Sequence, residues 1–257
     1  MSHSLPRSVA RAASGAVGPS IRMVVLALVM RLVLFAAFQA LIALLLALAG
    51  ASEPWAESAP WWPFAAAATG VVTFAFLAWR SRVEAFPLAS FYRPIRPGVG
   101  RDLLLTLAVT VIGGALAVGG TIALAPVFFA DPRAADAMLF QPLPTWAAVL
   151  AVVVFPISVA LTELPLYFGY AQPRVVNLTR SASAGVLIPA VLLSLQHTTL
   201  PLIFDAAFLG WRALMFLGFA LVLSWALWKR PRLLPYLIVV HFLLDLQAAV
   251  SILLVSI

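Results

Sequence analysis

The chain has 257 residues, of which 64% are hydrophobic and 10% are charged, whereas soluble domains carry about 25% charged residues. A soluble fold of this length could not hide so much apolar surface from water, so part of it must face lipid. The net charge of +7 does not indicate a nucleic-acid-binding protein, because the basic residues lie between apolar runs, where they act as topology signals. The sequence has no cysteine, which excludes disulfides and thiolate chemistry.

About 20 apolar residues span a bilayer as a helix, and the sequence contains seven runs of this kind. They lie at roughly 23–49, 62–79, 103–128, 145–170, 184–204, 207–228 and 234–256. The first run is longer than the apolar core of a signal peptide, which has about 7–15 residues, so we expect it to be retained as a span. The pattern predicts an all-α, polytopic transmembrane helix bundle of about seven spans.

The basic residues predict how this bundle is oriented. Alternate loops hold 13 of the 16 basic residues, and the loops between them hold only Arg133 and Arg212. The 13 residues are Arg7, Arg11, Arg22, Arg80, Arg82, Arg93, Arg96, Arg101, Arg174, Arg180, Lys229, Arg230 and Arg232. The positive-inside rule then places the N-terminus in the cytoplasm and the C-terminus outside. We expect a multi-pass protein of the cell membrane, in a bacterium the inner or plasma membrane.

We divide the chain into two parts. Residues 1–142 hold three spans with a cytoplasmic tail and loop, and residues 143–257 hold four spans. Residues 81–100, which are rich in proline, arginine and aromatic side chains, are expected on the cytoplasmic surface, partly as an interfacial segment. A set of four glycines in the third span is expected to let neighbouring helices approach closely. This set consists of Gly113, Gly114, Gly119 and Gly120.

Five ionisable side chains lie inside the predicted spans, where they are costly and usually functional. They are Arg31, Glu163, His197, His241 and Asp245. We expect Arg31 to extend toward the cytoplasmic edge, as long basic side chains do near the ends of spans. The alternative is that Arg31 pairs with a buried acid.

Glu163 lies in a stretch with three further notable residues. Tyr167 and Tyr170 follow at i+4 and i+7, so all three are expected to share one helix face. Pro165 cannot donate a backbone hydrogen bond and should kink the helix, which frees a carbonyl and leaves room for water.

The other three acidic and imidazole groups lie in the fifth and seventh spans. His241 and Asp245 are one helical turn apart on one face, and His197 ends the segment Leu-Ser-Leu-Gln-His. At 1.5 Å rise per residue, Glu163 and His241 lie about 10 Å below the cytoplasmic edge, and the other two lie deeper. We therefore expect the four side chains to line one cavity that opens to the cytoplasm.

Three kinds of chemistry fit these residues. Glu163 as a general base can take a proton from a water that attacks a peptide carbonyl, while His and Asp side chains hold the oxyanion and protonate the leaving amine. Alternatively, Glu163, His197 and His241 are typical ligands of a divalent metal such as zinc, although no HExxH motif is present. A structural reading is an interhelical polar clamp.

The three segments, in this order and spacing, resemble the motifs of the CPBP family, the type II CAAX prenyl endopeptidases and bacteriocin-processing intramembrane proteases. That family carries Glu-Glu-x-x-x-Arg, often followed by Gly, then Phe-x-x-x-His, then His-x-x-x-Asn/Asp, each on its own helix. Glu163 matches the first Glu and Gly169 the Gly. Residues 193–197 match the second motif with Leu for Phe, and residues 241–245 match the third in its Asp form.

The resemblance implies an intramembrane endopeptidase whose first Glu activates water, with Glu163, His197, His241 and Asp245 as the catalytic residues. It covers residues 143–256, and makes 143–257 the catalytic part. The substrate would be a peptide or protein in or at the membrane, with lipid as the other partner and no nucleic acid.

The sequence departs from the family motif at two positions. The second Glu is replaced by Leu164 and the Arg by Phe168, and Arg174 is the candidate for a substitute charge. One alternative is therefore an inactive relative that acts as an immunity, scaffold or transport factor. A further alternative is a haem protein with His197 and His241 as axial ligands.

Overall fold

The computed structural model describes residues 20–257, and this part of the chain is helical without a strand. Seven of its helices are long and apolar enough to cross a membrane, as predicted. They are α1 Ile21–Leu48, α2 Pro54–Val83, α3 Val99–Phe128, α4 Thr145–Thr179, α5 Ala182–Thr199, α6 Ala206–Lys229 and α7 Pro231–Ser256. A short helix, Arg133–Leu139, lies in the loop between α3 and α4. The predicted tail with Arg7 and Arg11 lies outside the described residues.

Helix α4 is interrupted near its middle. An α-helical part, Thr145–Ala160, ends in a turn, and a π-helical segment, Pro165–Ala171, follows two residues after Glu163. Proline cannot donate to the carbonyl four residues before it, so the oxygen of Leu161 is free. The hydroxyl of Tyr92 donates to that oxygen at 2.8 Å. The predicted interruption is present, and a tyrosine satisfies the freed carbonyl.

After the π-helical segment, α4 continues as Gln172–Thr179. It therefore ends nine residues beyond the predicted limit of the fourth run. Glu163 lies close to the middle of this 35-residue helix. The predicted depth of about 10 Å below the basic end is wrong, because the helix does not stop at residue 170.

The other helices pack around α4. Its first part, Thr145–Ala160, packs along α2 and α7, and Gln172–Thr179 packs on α5. Helix α1 lies against α2 and α5, and α6 lies between α5 and α3. Helices α3 and α7 touch each other only slightly, and both expose many apolar side chains. These two helices form the most lipid-facing part of the bundle.

The buried apolar side chains form two clusters, one above the other along the helices. On α1 the first cluster includes Met30 and the second includes Phe35. On α4 the second cluster includes Val159 and the first begins at Ala160. The ionisable residues of the spans lie at the level where one cluster gives way to the other.

Two of the four glycines on α3 allow close packing against α6, as predicted. A Cβ at Gly113 would lie 2.5 Å from the ring of Phe219, and one at Gly120 would lie 2.9 Å from the carbonyl oxygen of Met215. The other two glycines of the set meet no atom within 4 Å, so the prediction is wrong for them.

Residues 81–100 do not lie wholly on the surface as expected. Helix α2 continues to Val83, and Phe86, Phe91 and Tyr92 of the following segment pack against the first apolar cluster. A Cβ at Gly169 would lie 3.1 Å from the ring of Phe91. The segment is therefore folded into the bundle beside α4, because its aromatic side chains find apolar partners there.

Candidate functional site

The carboxylate of Glu163 lies at the polar level between the two clusters, and its residue is 3% exposed. Its Oε2 accepts hydrogen bonds from Arg31 Nη2 at 3.0 Å and from Gln196 Nε2 at 2.7 Å. Gln196 Oε1 in turn accepts from Arg31 Nε at 3.0 Å and from the hydroxyl of Tyr167 at 3.2 Å. The amide oxygen and the amide nitrogen of Gln196 thus both have partners, which fix the orientation of this side-chain amide.

The other carboxylate oxygen of Glu163 faces α7. Oε1 lies 3.2 Å from His241 Nε2, and the same nitrogen lies 3.4 Å from Asp245 Oδ2. None of these three atoms makes a hydrogen bond of good geometry to a protein group. An acid, an imidazole and a second acid therefore converge with free polar capacity, as a site for water or a substrate group requires.

His197 lies where α5 changes from α-helix to a 3-10 turn, His197–Thr199. Its Nδ1 lies 2.8 Å from the carbonyl oxygen of Leu193, which only accepts, so Nδ1 carries the proton and Nε2 is the free nitrogen. The backbone oxygens of His197 and Leu200 accept hydrogen bonds from buried Arg212 at 3.1 and 2.5 Å. Arg212 therefore fixes the turn that places this imidazole.

A cavity of about 360 Å³ connects these residues, and all four predicted side chains line it: Glu163, His197, His241 and Asp245. Its other walls are mainly apolar and include Trp62, Phe155, Trp211, Phe216 and Phe219. Three of the four polar residues are in direct contact, whereas His197 shares the cavity without such a contact.

The cavity does not open where we expected. Its lining includes Asp136, Leu139 and Phe140, at the face that carries the short helix Arg133–Leu139. That face is opposite to the basic loops, so the expected opening on the basic side is wrong. Val118 and Ile122 of α3 also line the cavity and are 61% and 67% exposed, so the cavity reaches the lipid-facing surface between α3 and α7.

Two predictions about arginines are corrected by the structure. Arg31 is fully buried and pairs with Glu163, so it does not extend toward the edge, and the alternative pairing is the correct one. The charge pattern assigns Arg212 to a loop, but Arg212 lies within the helix Ala206–Met215 and is 3% exposed.

Arg174 does not supply the substitute charge beside Glu163. It forms an ion pair with Glu84, which also accepts hydrogen bonds from Arg80 Nη2 at 2.5 Å and from the hydroxyl of Tyr170 at 2.8 Å. Tyr170 therefore belongs to a second polar group at the basic end of the bundle, and the predicted common face with Glu163 holds for Tyr167 alone. We call Arg80, Glu84, Tyr170 and Arg174 the Glu84 cluster.

A metal fits this arrangement poorly. No three His, Cys, Asp or Glu side chains among residues 20–257 are placed to hold a metal ion. The guanidinium of Arg31, 3.0 Å from Glu163 Oε2, also repels a cation at that carboxylate. Zinc binding by Glu163, His197 and His241 stays a prediction, and elemental analysis of the purified protein measures it.

The fold and the site together define a multi-pass membrane protein with an acid–imidazole centre inside its helix bundle. Residues 144–247 match the family model of type II CAAX prenyl endopeptidase Rce1-like proteins. The match covers α4 to α6 and most of α7, the part of the chain that carries the three motifs. No curated protein and no solved structure shows a significant match to the chain. The match begins close to the predicted division at residues 142 and 143, and α1–α3 lie outside it.

Gln196 and Thr162 belong to the site, although no sequence motif assigns a role to them. Thr162 Oγ1 accepts from Arg31 Nη1 at 3.2 Å, and Gln196 joins Arg31 to Glu163. Thr162 directly precedes Glu163, and Gln196 directly precedes His197. A polar residue next to a candidate site residue is the sequence feature that indicates such a role. The partner of Arg31 could not be found this way, since it lies 132 positions away.

Proposed function

We propose that the protein is an intramembrane endopeptidase in which Glu163 activates a water molecule. The observation that carries this proposal is the state of Glu163 Oε1. This oxygen has no hydrogen bond, lies 3.2 Å from His241 Nε2 and belongs to the wall of the cavity. A buried carboxylate oxygen without a hydrogen-bond partner is rare in folded proteins, and a catalytic role or a bound water accounts for it.

The chemistry follows from the positions of the side chains. Glu163 takes one proton from water, and the resulting hydroxide oxygen attacks the carbonyl carbon of the peptide bond. His241, beside the same carboxylate oxygen, donates to the oxyanion of the tetrahedral intermediate. When the C–N bond breaks, Glu163 returns its proton to the leaving amine, so one water is consumed and one carboxylic acid and one amine form.

The two remaining residues have supporting roles. Asp245 Oδ2 lies 3.4 Å from His241 Nε2 and stabilises the charged form of that imidazole. His197, with its proton on Nδ1, presents a lone pair at Nε2 and accepts a hydrogen bond from water or from a substrate N–H.

The cavity indicates the kind of substrate. Its walls are mostly apolar, and it reaches lipid between α3 and α7 through Val118, Ile122 and Leu244. A peptide segment that is apolar around the cleaved bond enters such a cavity from the bilayer without burying unpaired polar side chains. The substrate class we propose is an apolar segment of a protein in or at the membrane.

One observation favours a second candidate, a non-catalytic relative that serves as an immunity, scaffold or transport factor. Leu164 and Phe168, at the positions of the missing motif charges, are 1% and 5% exposed within the first apolar cluster. They supply no charge to the site. The haem alternative gives no role to the ion pair of Glu163, and an absorption spectrum of the purified protein tests it.

Mass spectrometry of a peptide library tests the proposal. The purified protein is reconstituted in lipid vesicles and incubated with peptides that vary in hydrophobicity around a central bond. We expect cleavage of apolar peptides by the wild type and none by His241→Gln. The non-catalytic alternative is supported instead if neither protein cleaves any peptide while both are folded.

A further inference from the structure

Arg31 is the only charged residue in the described part of α1 beyond its first turn, and it is fully buried. Its guanidinium is held on three sides. Nη2 donates to Glu163 Oε2, Nε to Gln196 Oε1 and Nη1 to Thr162 Oγ1, at 3.0, 3.0 and 3.2 Å. Its central carbon lies 5.0 Å from the centre of the Phe35 ring. The guanidinium therefore has one fixed position.

This position determines how the carboxylate of Glu163 is turned. Oε2 receives one hydrogen bond from Arg31 directly and a second from Gln196, whose amide Arg31 orients. A carboxylate held twice at one oxygen cannot rotate without breaking both bonds. Oε1 consequently stays beside His241 and the cavity.

The same contact compensates the charge of Glu163. A carboxylate between two apolar clusters is strongly disfavoured unless an opposite charge accompanies it. Among residues 20–257, Arg31 is the one Arg or Lys that forms an ion pair with Glu163. The cation of the site thus comes from α1, which lies outside the region that matches the family model.

We infer that Arg31 is the positioning residue of the Glu163 carboxylate: it keeps Glu163 ionised and holds Oε1 toward His241. This inference rests on the proposed function for its catalytic meaning. Arg31 does not touch the cavity, so its effect on a reaction passes through Glu163.

Infrared spectroscopy of the full-length protein in deuterated buffer tests the ionisation without any substrate. The difference between wild type and Glu163→Gln should contain a carboxylate band. The difference between Arg31→Gln and the Arg31→Gln, Glu163→Gln double variant should contain a carboxylic acid band in its place. Arg174→Gln, which removes an arginine of the Glu84 cluster outside the cavity, should leave the carboxylate band of Glu163 unchanged. A carboxylate band that persists in Arg31→Gln overturns the inference.

Arg31→Lys keeps the charge but loses the fork geometry, and it remains a test if Arg31→Gln does not fold. We expect Arg31→Lys to retain the carboxylate band. On the best peptide of the library, its kcat should fall at least about tenfold while KM stays near the wild-type value, because orientation acts on the chemical step. An unchanged kcat contradicts the positioning role. Because the infrared result needs no turnover, a failure of the proposed function is distinguished from a failure of this inference.

Discussion

At the scale of single residues, the two oxygens of Glu163 are in different states. Oε2 is fixed by Arg31 and Gln196, whereas Oε1 has no hydrogen bond and borders the cavity. A general base needs both an exposed lone pair and a fixed direction. Oε1 offers the free lone pair, and the hydrogen bonds to Oε2 fix its direction.

Tyr92 gives a residue-scale prediction about the interruption in α4. Its hydroxyl donates to the Leu161 oxygen that Pro165 leaves free. Tyr92→Phe should lower the free energy of unfolding by about 1 kcal/mol, since one hydrogen bond is lost and a carbonyl is left unpaired. Thermal unfolding in detergent measures this. Tyr236→Phe is the matched control, because the buried hydroxyl of Tyr236 has no hydrogen-bond partner. Removal of that hydroxyl should not destabilise the protein.

The same residue predicts a pH dependence. Burial raises the pKa of Tyr92 to about 12 from its ordinary value of 10.0. A raised pKa means that the folded state favours the neutral hydroxyl, so its contribution is present below pH 10.0 and is lost as the pH rises through about 12. The stability gap between wild type and Tyr92→Phe should shrink over that range. A constant gap contradicts the account of this hydrogen bond.

At the scale of elements, the Glu84 cluster joins the basic ends of α2 and α4. Burial acts to raise the pKa of Glu84, but the hydrogen bonds from Arg80 and Arg174 outweigh it and hold the pKa below its ordinary value. The contribution of the ionised group to stability is therefore complete above pH 4.5 and is lost as the pH falls below it.

Glu84→Gln should destabilise the protein by about 3 kcal/mol at neutral pH, because two arginines lose a buried partner. The loss should vanish in acid, where the wild type is also uncharged at this position. Chemical denaturation at both pH values measures it. Glu53→Gln, an exposed acid, is the control and should have no effect. Equal stability of wild type and Glu84→Gln at neutral pH would disagree with the role of the cluster.

The gap between α3 and α7 gives a second element-scale prediction. Ile122 lines the cavity and is 67% exposed, so a tryptophan there should cover the lipid-facing opening. The tryptophan takes the place of one apolar contact between the substrate and the cavity, worth about 1.5 kcal/mol. We therefore expect Ile122→Trp to raise KM about tenfold and to leave kcat unchanged. Val111→Trp, at a position of α3 that is 61% exposed and outside the cavity, should leave KM as it is. Equal KM values for the two variants would exclude entry between these helices.

At the scale of the whole molecule, hydrophobic run length predicted the seven helices because every span needs about 20 apolar residues to cross the bilayer. Charge placement inside those runs predicted that Glu163, His197, His241 and Asp245 share a cavity. The pairing of Arg31 with a buried acid was only the alternative interpretation, and the predicted direction of the opening is wrong. Both depend on which helices are neighbours, and the spacing along one chain does not contain that information.

The orientation of the bundle remains a prediction from the basic loops. Because the sequence has no cysteine, single substitutions can be labelled without background. Ala89 and Ala137 are exposed and lie at opposite faces. With a membrane-impermeant maleimide, Ala137→Cys should be labelled on intact cells, and Ala89→Cys only after permeabilisation. The reverse result would place the N-terminus outside.

The central claim is that Glu163 Oε1 takes the proton from the attacking water. Its most direct measurement is the cleavage rate of Glu163→Gln relative to wild type, at saturating peptide and normalised to folded protein. Glutamine keeps the shape of the side chain but cannot accept the proton, so we expect the rate to fall by about 100-fold or more. Glu53→Gln should keep the wild-type rate. If Glu163→Gln cleaves as fast as the wild type, Glu163 is not the base and the account is wrong.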